Sequence, residues 1–93
     1  MVNPRNLIGP QLRRLRVERE LSQPKFAALC QRGGWDLSRD TLAKIEAQSR
    51  WVSDFELLFL ADVMGVDIND LLPKKGASII AREFVTRLER PLE

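Results

Sequence analysis

Residues 21–46, LSQPKFAALCQRGGWDLSRDTLAKIE, predict the fold more clearly than any other part of the chain. Ser22 and Ser38 each precede apolar residues at helical spacing, where a hydroxyl can cap the start of a helix. Gly33-Gly34 is expected to end the first of these helices. The stretch therefore predicts two short helices joined by a turn, the second with a polar outer face of mixed charge.

The rest of the chain predicts further helices and no strand. Apolar residues recur at helical spacing in the segment between about residue 6 and residue 20: Leu7, Ile8, Leu12 and Leu15. Ser53 and Glu56 form the pattern of a capping box, which opens a strongly apolar helix that ends at Gly65. Asp67 is expected to cap a short fifth helix that ends near Leu72. We predict an all-α fold with a five-helix domain at residues 6–73.

Residues 74–93 are predicted to form a hinge and a C-terminal helix. Lys74-Lys75-Gly76 indicates the hinge, and Ser78 is expected to cap an amphipathic helix that runs to roughly residue 90. One face of this helix is apolar: Ile80, Phe84, Val85 and Leu88. An apolar face beyond a completed domain usually marks a contact. We favour a homodimer made largely by this helix, the alternative being that the helix docks on its own domain.

The composition excludes several classes of protein. The chain has 93 residues, 44% of them apolar and 30% charged, as expected of one small globular domain. Cys30 is the single cysteine and histidine is absent, which leaves no disulfide framework and no Cys/His zinc site. We see no nucleophile–base pair, metal-ligand set or phosphate-binding glycine loop. The sequence therefore predicts no enzyme, no cofactor and no metal.

The distribution of charge suggests a polyanionic partner. Up to residue 50 the chain has ten Lys or Arg and five Asp or Glu, and the remainder has five and eight, within a net charge of +2. A basic front and an acidic back suit a protein that meets a polyanion on one side, although charge runs are often only solvated helix faces. No apolar run reaches membrane-spanning length, and the N-terminus MVNPRNLIGP has no signal-peptide core, so we expect no membrane and a cytoplasmic location.

The order of these motifs resembles the phage repressor/Cro-like (XRE-type) helix-turn-helix family. LSQ opens the second helix, SRDTLAKIE forms the third, and FELLFLADVMGVDINDLL fills the fourth and fifth, so the resemblance covers about residues 8–72. It implies a transcriptional regulator that binds double-stranded DNA sequence-specifically, with a repressor favoured. Helix three, about residues 38–47, would lie in the major groove.

The resemblance also implies which residues touch DNA. The phosphate contacts lie at the starts of helices two and three and in the loop that follows: Gln23, Ser38, Thr41 and Arg50. The base-reading positions lie on the outer face of helix three: Arg39, Asp40 and Lys44. Lys25 stands where family members often have Glu, and adds a positive charge on the DNA side. Arginine and lysine can reach guanine edges in a major groove, and helix N-termini favour phosphate.

Most of these residues also have a simpler interpretation. Ser38 caps helix three whatever else it does. Asp40 lies in the first turn of that helix, where a carboxylate stabilises the helix dipole, and this competes with its reading a cytosine amino group. Arg39 and Lys44 could be no more than solvated charges, and Gln23 an ordinary surface residue.

Two further features concern how the helices are held together. Arg16 and Glu46 lie where the family often has a partly buried ion pair between helices one and three, the alternative for Arg16 being an ordinary surface arginine. The turn between helices two and three is longer than the family's usual turn by about five residues, QRGGW or thereabouts. Trp35 in this turn either packs over the helix pair or contacts the sugar-phosphate backbone.

Two classes of function remain in view. The first is the DNA-binding regulator, which makes few contacts per monomer and so needs two copies on a two-fold symmetric site, with strong salt dependence. The second is a protein-interaction module on the same fold, such as an adaptor or an antitoxin with a protein partner. The basic front favours DNA as at least one partner, whereas a salt-resistant association with a protein would favour the adaptor.

Overall fold

The computed structural model describes residues 4–89, and every regular element in that range is helical. The elements in chain order are α1 Gly9–Glu18, α2 Gln23–Arg32, α3 Arg39–Glu46, α4 Asp54–Met64, a 3₁₀ helix Ile68–Leu71, and α5 Ala77–Glu89. The predicted all-α fold is confirmed, and the predicted short fifth helix is a 3₁₀ helix. Within this range no helix combines the length and apolar character needed to cross a membrane.

Side-chain caps begin α2, α3 and α4 as predicted. The hydroxyls of Ser22, Ser38 and Ser53 each accept a hydrogen bond from the backbone N–H three residues later. The carboxylate of Glu56 in turn accepts from the backbone N–H of Ser53 at 3.0 Å, which completes the capping box. Gly65 ends α4 with a φ of 74°, a left-handed conformation that favours glycine.

The prediction that Ser78 caps the last helix is wrong. α5 begins at Ala77, so Ser78 lies in the first turn of the helix. Gly76 has a φ of 75°, and its carbonyl accepts a hydrogen bond from the backbone N–H of Ile80 at 2.9 Å. The chain therefore turns at this glycine, and the helix starts two residues earlier than a cap at Ser78 would place it. The predicted end of the helix near Arg90 lies outside the described residues.

The core lies between α1, α2, α3, α4 and the 3₁₀ helix. Its buried members are apolar: Ile8, Leu12, Leu15, Phe26, Cys30, Leu37, Leu42, Ile45, Leu60, Ala61, Met64 and Leu71. Leu37 and Leu42, the predicted hydrophobic staple at the start of α3, are both fully buried. No α5 residue with a described side chain belongs to this core, so the domain closes without that helix.

The N-terminal segment is tied to the end of α3 by a set of hydrogen bonds that the sequence did not predict. The side-chain oxygen of Asn6 accepts from the backbone N–H of Gly9 at 2.9 Å. The Asn6 amide nitrogen donates to the carbonyls of Ile45 at 3.1 Å and Arg50 at 2.9 Å. Gln48 returns a bond from its side chain to the Asn6 carbonyl at 3.0 Å. These bonds bring the start of α1 directly against the last turn of α3.

Gly9 is where this approach leaves no room for a side chain. A Cβ atom there would lie 2.5 Å from the carbonyl oxygen of Ile45 and 2.8 Å from that of Glu46. We expect Gly9→Ala to lower the free energy of unfolding by about 1–3 kcal/mol, because the obstructing atoms are backbone and cannot rotate away. Urea unfolding followed by circular dichroism measures the change.

The matched control is Gly33→Ala. A Cβ at Gly33 would first meet the ring of Phe59 at 3.0 Å, and a side chain can move where a backbone cannot. The Gly33 variant should therefore lose less stability than the Gly9 variant. Equal losses in the two variants would contradict the backbone contact described for Gly9.

Candidate nucleic-acid interface

α3 has one buried face and one exposed face. Leu42 and Ile45 are fully buried, whereas the three predicted base-reading residues all lie at the surface: Arg39, Asp40 and Lys44. The Arg39 guanidinium and the Asp40 carboxylate approach to 3.7 Å, with their side chains 64% and 85% exposed. The structure thus places these three side chains together on the outer face of α3, free to meet a ligand.

The N-terminus of α3 presents two coupled hydroxyls. Ser38 Oγ accepts from the backbone N–H of Thr41 at 3.0 Å and donates to the Thr41 hydroxyl at 2.9 Å. The predicted cap role of Ser38 is therefore confirmed. Since the Thr41 hydroxyl accepts the proton of Ser38, it keeps its own proton to donate outward. Both hydroxyls were predicted to donate to phosphate: Thr41 has its proton available, whereas Ser38 would have to release Thr41 first.

Gln23, the first residue of α2, faces the other end of α3. Its side-chain Nε2 donates to the Glu46 carboxylate at 3.1 Å, a contact that no motif in the sequence indicates. Two residues later Lys25 is exposed, and its backbone N–H is taken up by the Ser22 cap at 3.2 Å. The start of α2 therefore presents an exposed ammonium and a carboxamide that contacts the end of α3.

Arg16 and Glu46 form the predicted ion pair between α1 and α3. Arg16 Nε and Nη2 donate to the two carboxylate oxygens at 2.7 and 2.9 Å, and their side chains are 9% and 4% exposed. Arg16 Nη1 also donates to the carbonyl of Leu21, at 2.6 Å, just before α2. The hydrogen bond to Glu46 raises the pKa of Arg16, against the opposing effect of burial. One guanidinium thus joins α1, the α1–α2 turn and α3.

Arg50 is bound more closely within the protein than a phosphate contact would suggest. Its guanidinium makes two bonds to the Glu56 carboxylate, at 3.0 and 3.1 Å, and one to the Trp51 carbonyl at 3.0 Å. These bonds to Arg50 are the largest cause of a lowered pKa at Glu56. A phosphate would have to share Arg50 with Glu56, and this predicted contact stays a prediction.

The lengthened turn between α2 and α3 packs against α4. Trp35 is partly buried and meets the ring of Phe59 edge-on, with centroids 5.6 Å apart and planes at 86°. The Arg50 guanidinium lies 5.9 Å from the Trp35 ring centroid. Gln31 closes the turn by donating to the carbonyl of Leu37 at 2.8 Å. Of the two predicted alternatives, Trp35 takes the packed one, with α4 and Arg50 as its neighbours.

A helix pair in which α2 braces α3 and α3 exposes a polar face is a helix-turn-helix. The family model described as Helix-turn-helix matches residues 12–71. The chain belongs to the XRE-type helix-turn-helix family, as the resemblance of its motifs implied. Members of this family are regulators of transcription that bind double-stranded DNA, not enzymes.

Two solved structures are similar to this chain. The restriction-modification controller protein C.AhdI from Aeromonas hydrophila is 31% identical, with a TM-score of 0.61, over 70% of this chain and 87% of that one. The DNA-binding domain of BldD is 28% identical, with a TM-score of 0.65, over 78% of this chain and 100% of that one. No match was found among curated proteins.

The buried ion pair predicts a large loss of stability in Glu46→Ala. The variant leaves the charge of Arg16 buried without its partner, which should lower the free energy of unfolding by about 3–5 kcal/mol. The matched control is Glu18→Ala, because Glu18 lies 2.6 Å from Arg14 but the two side chains are 44% and 53% exposed. The control should lose less than about 1 kcal/mol. Chemical denaturation measures the free energy of unfolding of both variants. Similar losses of stability in the two would contradict the buried ion pair.

Proposed function

We propose that this protein is a homodimeric transcriptional repressor that reads the major groove of a specific DNA site with α3. The observation that carries the proposal is the exposed cluster of Arg39, Asp40 and Lys44 on a helix whose opposite face is anchored in the core. Repression needs only occupancy of a site that overlaps a promoter. We place the protein in the cytoplasm of a prokaryotic cell, where it would meet chromosomal or phage DNA.

The contacts divide into two kinds. Arg39 and Lys44 would donate to guanine O6 and N7, and Asp40 would accept from a cytosine amino group or serve the helix dipole. The phosphate contacts would come from the starts of α2 and α3 and from the loop after α3: Gln23, Lys25, Ser38, Thr41 and Arg50. Only the first group carries sequence information, because phosphates are the same at every step of the duplex.

The exposed face of α5 supports a homodimer. Phe84 meets Trp51 of its own domain edge-on, with ring centroids 5.6 Å apart. Three further apolar side chains of the helix stay exposed: Ile79 by 62%, Ile80 by 38% and Val85 by 48%. α5 thus contacts its own domain without burying its apolar face there. The predicted stripe also includes Leu88, whose side chain lies outside the described residues.

Further exposed apolar side chains lie on α4 and just before it. Phe55 is 81% exposed, Leu58 is 56% exposed and Trp51, just before the helix, is 54% exposed. Phe55 and Leu58 are three residues apart and so lie on one side of α4. A second copy related by a two-fold axis would cover this surface and supply the second α3 that a symmetric site requires.

The proposed reading of bases by α3 is tested on a site selected from random DNA with the full chain. Arg39→Ala and Lys44→Ala should each weaken binding to the selected site by about 1–3 kcal/mol, and weaken non-specific binding less. Lys75→Ala is the control, because it removes an exposed charge in the hinge, away from α3. If both α3 variants bind the selected site as the wild type does, α3 is not the recognition helix.

Phosphate contacts predict a different pattern in the same assay. Gln23→Ala and Arg50→Ala should weaken binding to all sequences by similar factors, with the preferred sequence unchanged. Because Arg50→Ala also breaks the pair with Glu56, thermal unfolding must first show that the variant is folded at the assay temperature. A shift in the preferred sequence of either variant would contradict its assignment to phosphate.

The proposed dimer is tested by sedimentation of the full chain and of residues 1–76. The full chain should be dimeric and the truncated chain monomeric, because the truncation removes α5. A full-length variant with Ile80→Ser and Val85→Ser keeps the helix and should shift the equilibrium toward monomer. A truncated chain that stays dimeric, or a full chain that is monomeric at tens of micromolar, roughly the range where weak dimers still show, would contradict a dimer made by α5.

A further inference from the structure

The Glu46 carboxylate is bound by donors from two other helices. Glu46 is the last residue of α3, and the residue as a whole, backbone included, is only 8% exposed. Arg16 of α1 occupies both of its oxygens, and Gln23 of α2 donates a third hydrogen bond at 3.1 Å. The first two bonds are expected of an ion pair that braces the fold. The third hydrogen bond connects the ion pair to Gln23, whose side chain is only partly buried.

This third bond determines which way the Gln23 carboxamide faces. Turning the amide around would place its carbonyl oxygen against the negative carboxylate, where it could only be repelled. The amide nitrogen is therefore held inward by one of its protons, and its second proton remains a donor. Among residues 4–89 no acceptor takes the backbone N–H of Gln23 either.

In the first turn of α2, Gln23 supplies the N–H groups that are not already used within the protein. Pro24 has no N–H, and the N–H groups of Lys25 and Phe26 are both taken by Ser22, at 3.2 and 3.0 Å. Besides the exposed ammonium of Lys25, the start of α2 can therefore offer an anion two N–H groups of Gln23, one from the backbone and one from the side chain. The Gln23 carboxamide can donate to an anion only if its nitrogen, and not its oxygen, faces that anion.

We infer that Glu46 is a positioning residue for DNA binding: through Gln23 it orients the phosphate contact of α2 and couples that contact to α3. The inference rests on the proposed function, in which Gln23 binds a backbone phosphate. Glu46 belongs to the same short helix as Arg39 and Lys44. Its bond to Gln23 therefore fixes the orientation of the Gln23 carboxamide relative to α3, the helix proposed to enter the groove. The strength of the phosphate contact then depends on the position of α3 itself.

The test removes the carboxylate without leaving a buried charge. Full-length Arg16→Met/Glu46→Met replaces the pair by apolar side chains, an exchange that folded proteins often tolerate. Arg16→Met/Glu46→Gln is the matched variant, since its amide oxygen can still accept from Gln23. Each is combined with Gln23→Ala, and binding to the selected DNA site is measured for all members of the two cycles. Gln31→Ala serves as the control, a glutamine at the far end of α2 that does not touch Glu46.

We expect Gln23→Ala to weaken binding about tenfold, the factor that corresponds to one hydrogen bond of ordinary strength. The Met/Met variant should lose a similar factor, and adding Gln23→Ala to it should cause no further loss. The Met/Gln variant should recover most of the affinity, and in it Gln23→Ala should again weaken binding. Gln31→Ala should combine additively with both. Independent effects of Gln23→Ala and the Met/Met exchange would overturn the inference.

A second readout needs no variant to fold. In nuclear magnetic resonance spectra of the free wild-type chain, one Gln23 side-chain N–H proton should be shifted downfield and exchange slowly with water, because a carboxylate accepts it. Two Gln23 side-chain protons at the ordinary shifts of a solvated glutamine, both exchanging rapidly with water, would overturn the inference. A wild-type chain that binds no selected DNA would instead refute the proposed function, so the two failures are distinguishable.

Discussion

The ion pair of Arg16 and Glu46 determines how α1, α2 and α3 sit against one another. Burying two charges is costly, and the cost is offset here because the guanidinium donates to both carboxylate oxygens and to the Leu21 carbonyl. Two apolar side chains could fill the same space and keep α3 packed, but their contacts are less directional than hydrogen bonds. A guanidinium and a carboxylate with matched bonds favour one orientation of α3. The exposed face of α3 is therefore directed by a contact on its opposite side.

A second charged cluster holds the turn between α2 and α3, which we expect from the sequence to be longer than the family's usual turn. The longer turn between α2 and α3 could have left α3 loosely attached, yet Trp35 packs on Phe59 and lies beside Arg50. Arg50 is itself held by Glu56, which also completes the capping box of α4. The additional residues thus become a packed link between the helix pair and α4. Arg50, for which we propose a phosphate contact, is thus also used within the protein.

Much of the helix-turn-helix could be predicted from sequence because its signals are local. The caps at Ser22 and Ser38 and the outward face of α3 follow from spacing along the chain, and the resemblance implied the Arg16–Glu46 pair. The bonds of Asn6 to the end of α3 and of Gln23 to Glu46 could not be predicted. They join residues more than twenty positions apart and leave no periodic or motif signal. Ser78 shows the opposite error, since a plausible cap was overruled by the turn at Gly76.

The burial of Cys30 has a consequence for the conditions under which this protein works. Cys30 is the only cysteine in the chain, it is fully buried, and burial raises the pKa of its thiol to about 11. At neutral pH almost no thiolate forms, and oxidants act on the thiolate. Neither a disulfide between two copies nor a sulfenic acid is accessible without opening the core. Oxidation of Cys30 should therefore not affect DNA binding by the folded protein, and a reducing agent is not needed to protect this thiol.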